Sequence, residues 1–382
     1  MSAADETAPN TTDTADRPSV LVNLLWCVPG RVGGSEEYLV RQLLGLAEQP
    51  APQWRPTVAV ARGLTRVHPE LAAVADVVEP TFDSTSRVRR IVGESTWLRR
   101  HSHDVALVHH GGGTAPVRAH RPYVLTIHDL QFRTYPQYFS RTKRAYLSAV
   151  IPPSARRATV VTVPSEYVRE SVVRAYGVQE HRVMVVPHGI EPTLAADATP
   201  AAELRDRYEM GDGPVIVYPA MTHPHKQHEF LLRMMQDHWR DPALRLVLTG
   251  GEGLAEPLIA DCGDPRVLRL GRVPAADRNG LLAMADAMVF PSQYEGFGAP
   301  LIEAMALGAP VVCSDATCMP QIVGDAGLVR PLQPDAWAGV LDEARARRAE
   351  LVAAGHRRAA DFTSRASGAA LAAAYARALH LS

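Results

Sequence analysis

Residues 19–28, SVLVNLLWCV, form an apolar run of strand length that breaks at Pro29-Gly30. The chain resumes at Gly33-Gly34-Ser35 and continues as EEYLVRQLLGLAEQ, a pattern of helical type. Strand, glycine loop and helix in that order make the first half of a βαβ unit. The pattern recurs at 56–63 (PTVAVARG), 104–113 (DVALVHHGGG), 121–130 (RPYVLTIHDL) and 158–177 (ATVVTVPSEYVRESVVRAYG). Several of these runs are apolar throughout, as strands covered by helices on both faces should be. A second series begins near residue 211, with runs at 213–226, 244–253, 267–273, 287–298 and 309–315. Residues 191–206, rich in alanine and polar side chains, read as the linker between the two series. The expected fold class is therefore α/β: two Rossmann-like, doubly wound domains facing a central cleft. The expected boundaries are a disordered tail at 1–18, a first domain at 19–195, a second at 196–365, and an alanine-rich closing helix at 366–382 packed on one of them. Ligands of such sheets bind at the carboxyl ends of the strands.

Composition narrows the function classes. The 382 residues carry 40 Lys+Arg against 41 Asp+Glu, a net charge of −1, where a nucleic-acid-binding domain would be clearly basic. Cys27, Cys262, Cys313 and Cys318 include no C-x-x-C pair and are too few for a disulfide framework, which fits a reducing compartment. The polar, acidic start lacks the cationic and apolar blocks of an export signal, and no 18 apolar residues run together. A soluble, cytoplasmic protein is expected.

The stretch that carries chemistry is FPSQYEGFGAPLIEAMALGAPVVCSD, residues 290–315. A strand ends at Phe290-Pro291, a loop holds Gly296 and Gly298, and Pro300 opens an apolar helix stopped by Gly308 and Pro310. A glycine-rich turn into a helix N-terminus offers free N–H groups and a favourable dipole to an anion such as a diphosphate. Two carboxylates bracket the turn, Glu295 in the loop and Glu303 in the first helical turn. Carboxylates beside a phosphate would not touch it; they suit hydroxyls on either side, a sugar at one end and a ribose at the other.

The string E-G-F-G-x-P-x-x-E-A-M-A-x-G-x-P-V resembles the E-x7-E signature of retaining glycosyltransferases of family 4, which have the GT-B fold, and in particular mannosyltransferase-like members. A bare pair of glutamates at that spacing would mean little; the fixed neighbours carry the likeness. The likeness extends along most of the chain, through V-P-S-E-Y-V (163–168), V-P-H-G-I (186–190) and Y-P-A-x-T-H-P-H-K-Q-H (218–228). It implies that Lys226 grips the donor phosphates, Glu303 binds the ribose and Glu295 the donor sugar. Gly296, Phe297, Gly298 and Ala299 line the donor, and Val273, in Gly271-Arg272-Val273, lies beside the nucleobase. Gly33 and Gly34 approach the phosphates from the first domain, and His128 sits near the transferred sugar. His128, Glu295 and Lys226 are thus the catalytic candidates. The resemblance further implies metal-independent transfer with no cofactor, from a nucleotide sugar to a hydroxyl of a glycan, a lipid-linked glycan or a small metabolite. The T-H-P-H-K-x-H loop leans the donor toward GDP-mannose, and peripheral contact with the inner face of a membrane is a further expectation.

Two departures stand out. Family members commonly carry an arginine six residues before the lysine, where this chain has Ala220, and a glutamate where it has Gln321. Charge neutralisation then falls on Lys226, the helix N-terminus and His223 or His225. Other features read more plainly. Pro224 and Lys226 interrupt His223, His225 and His228, so no metal site is expected there. His109-His110 reads as a strand-end loop lining the cleft. The arginines at 87, 89, 90, 99 and 100, around Trp97, read as a solvated helix face, or as a patch for an anionic membrane or acceptor. Two other functions remain open at this point: a nucleotide-sugar epimerase or hydrolase of the same fold, and a non-catalytic nucleotide- or glycan-binding protein.

Overall fold

A computed structural model describes residues 17–29, 33–50, 53–120, 122–191 and 193–380. The tail expected at 1–18 lies, except for its last two residues, outside them. Every strand pairs in parallel. The first sheet holds β1 (Ser19–Leu24), β2 (Arg55–Val60), β3 (Asp76–Val78), β4 (Leu107–His110), β5 (Tyr123–Thr126), β6 (Val160–Val163) and β7 (Val183–Val185), in the order 3-2-1-4-5-6-7. The second holds β8 (Val215–Pro219), β9 (Arg245–Thr249), β10 (Val267–Gly271), β11 (Ala287–Phe290), β12 (Val311–Ser314) and β13 (Gly327–Arg330), in the order 10-9-8-11-12-13. Strand order reverses between β1 and β4 in one sheet and between β8 and β11 in the other. The crevices of two doubly wound sheets lie at those points.

The apolar runs explain the layering. Along β1, Val20, Val22 and Leu24 enter one core cluster while Leu21, and Leu25 just past the strand, enter another, so both faces of the sheet are covered. The second sheet has its own core, in which Tyr218, Phe290, Met305 and Trp337 are fully buried. Residues 201–206 of the expected linker are not extended: they belong to the helix Ala201–Arg207, and Leu204 anchors it in the second core.

The closing helix, Ser364–His380, follows the second sheet in sequence but packs on the first, with Leu371, Ala374, Tyr375 and Ala378 in its core. Its partner is the helix Gly34–Ala47. The two cross so closely that a Cβ on Gly368 would stand 2.0 Å from the carbonyl carbon of Gly45. On the way back the chain runs beside its outward crossing: Ile190 N–H donates to Phe362 O at 2.8 Å and Ser364 N–H to Ile190 O at 3.2 Å. The two halves are therefore joined by two adjacent strands of chain.

His109 and His110 do not form a loop. Both belong to β4 and are buried, because the strand continues two residues further than the apolar run suggests. His109 spans Tyr375 Oη at 2.9 Å and Thr126 Oγ1 at 2.7 Å, a structural tie between strand and closing helix.

Candidate active site

The loops leaving β8 and β11, the two strands at the second switch point, are laced together. Gln293 N–H donates to His225 O at 2.8 Å, and Tyr218, at the end of β8, donates its hydroxyl to Lys226 O at 2.7 Å. Pro224–Lys226 makes a single 3-10 turn, which sets Lys226 at its end with the side chain across the loop. Its Nζ donates to Glu295 Oε1 at 2.5 Å and lies 5.4 Å from the centre of the Phe290 ring. Glu295 is held from behind: its N–H donates to Thr317 Oγ1 at 3.1 Å, and Cys318 Sγ donates to its carbonyl at 3.3 Å. Thr317 adopts φ +56, a left-handed conformation that a β-branched residue rarely takes, so this support is itself strained.

Gly298 has φ +85 and turns the loop into the helix Ala299–Ala306. Leu301 N–H donates back to Gly298 O at 2.9 Å, and Pro300 has no N–H. The donors at this helix start are therefore the N–H groups of Gly298 and Ala299, beside the Lys226–Glu295 pair. Glu303 sits in the second helical turn rather than the first, and is buried. Burial alone would push its carboxyl up; the charges of Arg278 and Arg41 hold it below the usual carboxylate range.

The first domain comes down onto this loop. A Cβ on Gly296 would stand 2.3 Å from His128 O; Ser165 Oγ donates to Gly296 O at 2.6 Å, and Leu130 N–H donates to Tyr294 Oη at 3.0 Å. His188, on the crossing between the domains, is stacked between Tyr38 at 4.1 Å and Phe297 at 4.5 Å. Arg41 Nη1 donates to Glu303 Oε1 at 2.9 Å. His128 donates from Nε2 to Gly111 O at 2.8 Å, the carbonyl having no proton to give, which leaves Nδ1 as the acceptor of the neutral ring. Burial lowers its pKa to about 4, so the ring is neutral at physiological pH.

The structure thus gathers Lys226, Glu295, Gly296, Phe297, Gly298, Ala299, Glu303 and His128 along one interdomain seam. Gly33 and Gly34 stand open: among the described residues a Cβ on either would meet nothing within 4 Å, and Gly33 has φ +81. Val273 lies past the end of β10, two strands from β8, half-buried against the second core. Hollows exist elsewhere as well. One of about 420 Å³, bordered by Ile190, Leu194, His356 and Thr363, lacks the converging polar groups of the seam.

Sequence reasoning passed over Arg41, Tyr38, His188, Ser165 and Thr317. His188 was visible inside V-P-H-G-I. Arg41 was not, because next to Glu37 it looks like an ordinary helical charge pair, and the two do approach to 3.8 Å.

Two family profiles match the chain: "Glycosyltransferase Family 4" over residues 32–194 and "Glycosyl transferases group 1" over residues 213–370. One covers each domain. The chain belongs to glycosyltransferase family 4. This glycosyltransferase is 28% identical to the O-antigen chain mannosyltransferase B of Escherichia coli over 239 residues. That alignment takes in 56% of this chain and 62% of the relative, so it spans just under two thirds of that protein's length. It is also 28% identical over 332 residues to the GDP-mannose-dependent alpha-(1-6)-phosphatidylinositol monomannoside mannosyltransferase of Mycolicibacterium smegmatis, covering 78% of this chain and 81% of the relative. Among solved structures, Anabaena HepE in complex with UDP and glucose superposes with a TM-score of 0.74 at 19% identity, over 94% of this chain and 100% of that one. Sucrose-phosphate synthase of Thermosynechococcus elongatus superposes at 0.71, also at 19% identity, over 96% and 100%. At such identities the superpositions establish the GT-B fold of the glycosyltransferase. Among the described residues no helix is long and apolar enough to cross a membrane.

Proposed function

We propose that this glycosyltransferase moves mannose from GDP-mannose to a hydroxyl of a glycan, lipid-linked glycan or small metabolite, with retention at the anomeric carbon and without a metal ion. One observation carries the reading: Lys226 and Glu295 are paired at 2.5 Å beside the N-terminus of the Ala299–Ala306 helix, at the switch point of the second sheet. The cation and the N–H groups of Gly298 and Ala299 suit a diphosphate, Glu295 suits sugar hydroxyls, and Glu303 suits the ribose. Gly33 and Gly34 have room to approach the phosphates from the other side, and Val273 is assigned to the nucleobase. Departure of the diphosphate leaves an oxocarbenium-like sugar, which the acceptor attacks from the same face while the leaving phosphate takes its proton. Neutral His128 then positions the sugar and need not act as a base. The mannosyl lean rests on the curated relatives; the UDP held by HepE makes UDP sugars the competing arm.

The test is a thermal-shift panel of GDP, UDP and dTDP, followed by product analysis of the new linkage. GDP alone should raise the melting temperature, and the product should keep the donor's anomeric configuration. A shift by UDP alone overturns the donor, and an inverted product overturns the mechanism. Calorimetry on Glu303→Ala should show weakened GDP binding; unchanged affinity removes the ribose role.

The membrane part of the proposal rests on charge. Helices Arg87–His101 and Arg141–Arg157 touch through Arg87 over the Tyr146 ring at 5.8 Å. Their only carboxylate is Glu94, which is buried, while Val88 and Val92 are exposed among the arginines. A basic face with apolar side chains suits an anionic lipid surface.

A further inference from the structure

Arg41 is the one cation that the first domain delivers into the nucleotide side of the seam among the ion pairs described. It is 5% exposed, and its guanidinium is ringed by acceptors: Glu303 Oε1 at 2.9 Å, Gly189 O and Glu191 Oε1 at 3.4 Å, and Glu37 Oε2 at 3.8 Å. Gly189 and Glu191 belong to the crossing between the domains, and Glu303 to the second domain. A guanidinium is planar, permanently charged and directional, so the carboxylate it holds is fixed in rotamer as well as in charge. The bond to Arg41 uses Oε1 of Glu303 and leaves Oε2, with its own lone pairs, to accept from something else.

The helix that carries Arg41 also begins at Gly33-Gly34 and carries Tyr38, the ring on which His188 stacks. Placing this one helix therefore sets the glycine loop, the aromatic stack and the orientation of Glu303 together.

We infer that Arg41 is a positioning residue for the nucleotide's ribose: it aims Glu303 at the ribose hydroxyls, and so makes nucleotide affinity depend on the approach of the two domains. This rests on the reading of Glu303 as the ribose ligand. Arg278 also holds the Glu303 carboxyl down and is untouched when Arg41 is changed.

The experiment is calorimetry of wild type and Arg41→Gln with GDP and with 2′,3′-dideoxy-GDP, and in parallel with UDP and its dideoxy counterpart. The wild type should prefer the ribonucleotide by ~10-fold, the scale of a hydrogen bond to a charged group. Arg41→Gln should lose most of that preference while its affinity for the dideoxy nucleotide stays the same, and Arg41→Lys should restore part of it. If Arg41→Gln does not fold, Arg41→Lys carries the same comparison, with partial loss expected for the ribonucleotide alone. Equal weakening of both nucleotides makes Arg41 merely structural, and an unchanged preference denies it any role; either result overturns the inference. A wild type that cannot tell the two nucleotides apart removes the ribose reading itself, a different outcome that takes the inference down with it.

Discussion

Replacing Lys226 by alanine removes the cation assigned to the donor phosphates. A unit charge about 4 Å from a phosphate oxygen, at an effective dielectric of about 20, is worth about 4 kcal/mol. Part of that returns when water fills the gap, and the Ala299–Ala306 helix still presents its N-terminus. A net loss of about 2–3 kcal/mol remains, or ~30- to 150-fold in kcat/KM. The 2.5 Å pair with Glu295 sharpens the forecast. Without donor, Glu295 already neutralises Lys226, so a diphosphate must compete with that carboxylate. Glu295→Gln should therefore bind GDP at least as tightly as wild type while kcat falls, because the sugar loses its acceptor. Lys226→Ala should bind GDP more weakly and also turn over more slowly. Initial rates against donor concentration, with calorimetry on GDP, separate the two. A Lys226→Ala enzyme within ~3-fold of wild type in kcat/KM would refute the phosphate role, and Glu295→Gln binding GDP more weakly would refute the competition.

Other outcomes follow from burial and packing. Burial holds His109 and His110 down to about 3 and His128 to about 4, so the unfolded chain takes up protons there that the folded one refuses. Their contribution is complete above about pH 6.5 and is lost as pH falls through about 4 for His128 and about 3 for His109 and His110, so Tm should drop over that window; a flat Tm would sink this account. Gly45→Ala would put a Cβ 1.7 Å from Ser364 O, backbone that cannot step aside, and should cost about 3 kcal/mol or more in urea unfolding. Charge reversal at Arg89, Arg100, Lys143 and Arg144 should release the protein from anionic vesicles in a sedimentation assay, each basic group being worth about 1 kcal/mol near the surface. Wild type that stays in the supernatant with such vesicles rules out the membrane contact.

The layered fold was readable because buried parallel strands leave runs with no polar interruption, and the donor loop because turn residues and carboxylates fall in one short string. What escaped the sequence depends on long-range contact. Nothing in ASGAALAAAYARALH says which sheet the closing helix will cover; Gly368 meets Gly45 from more than three hundred residues away. His109 and His110 looked like loop residues because a histidine pair seems too polar for a strand. Tyr375 and Thr126 satisfy the ring of His109, and that makes its burial tolerable. Arg41 was illegible for a similar reason: its decisive partner, Glu303, lies 262 residues away.

The two glycines of E-G-F-G look alike in sequence and differ in what they do. Gly298 is needed for its positive φ, which no other residue adopts without strain. Gly296 has no such backbone requirement; it is needed for room, since a Cβ there would stand 2.3 Å from His128 O and 3.3 Å from Asp129 Cβ. Both neighbours belong to the first domain, so the clash exists only when the domains meet. Gly296→Ala should consequently fold with a Tm near that of wild type, because the second domain alone tolerates the methyl group. Turnover is another matter. Holding the loop away from His128 disturbs the bond from Ser165 to Gly296 O and the stack of His188 on Phe297, and a misplacement of about 1 Å is worth ~100-fold in rate. Gly298→Ala should show the reverse balance, with stability falling along with activity. If Gly296→Ala turns over at the wild-type rate, the domain approach seen here is not the one the reaction uses, and the role given to His128 goes with it.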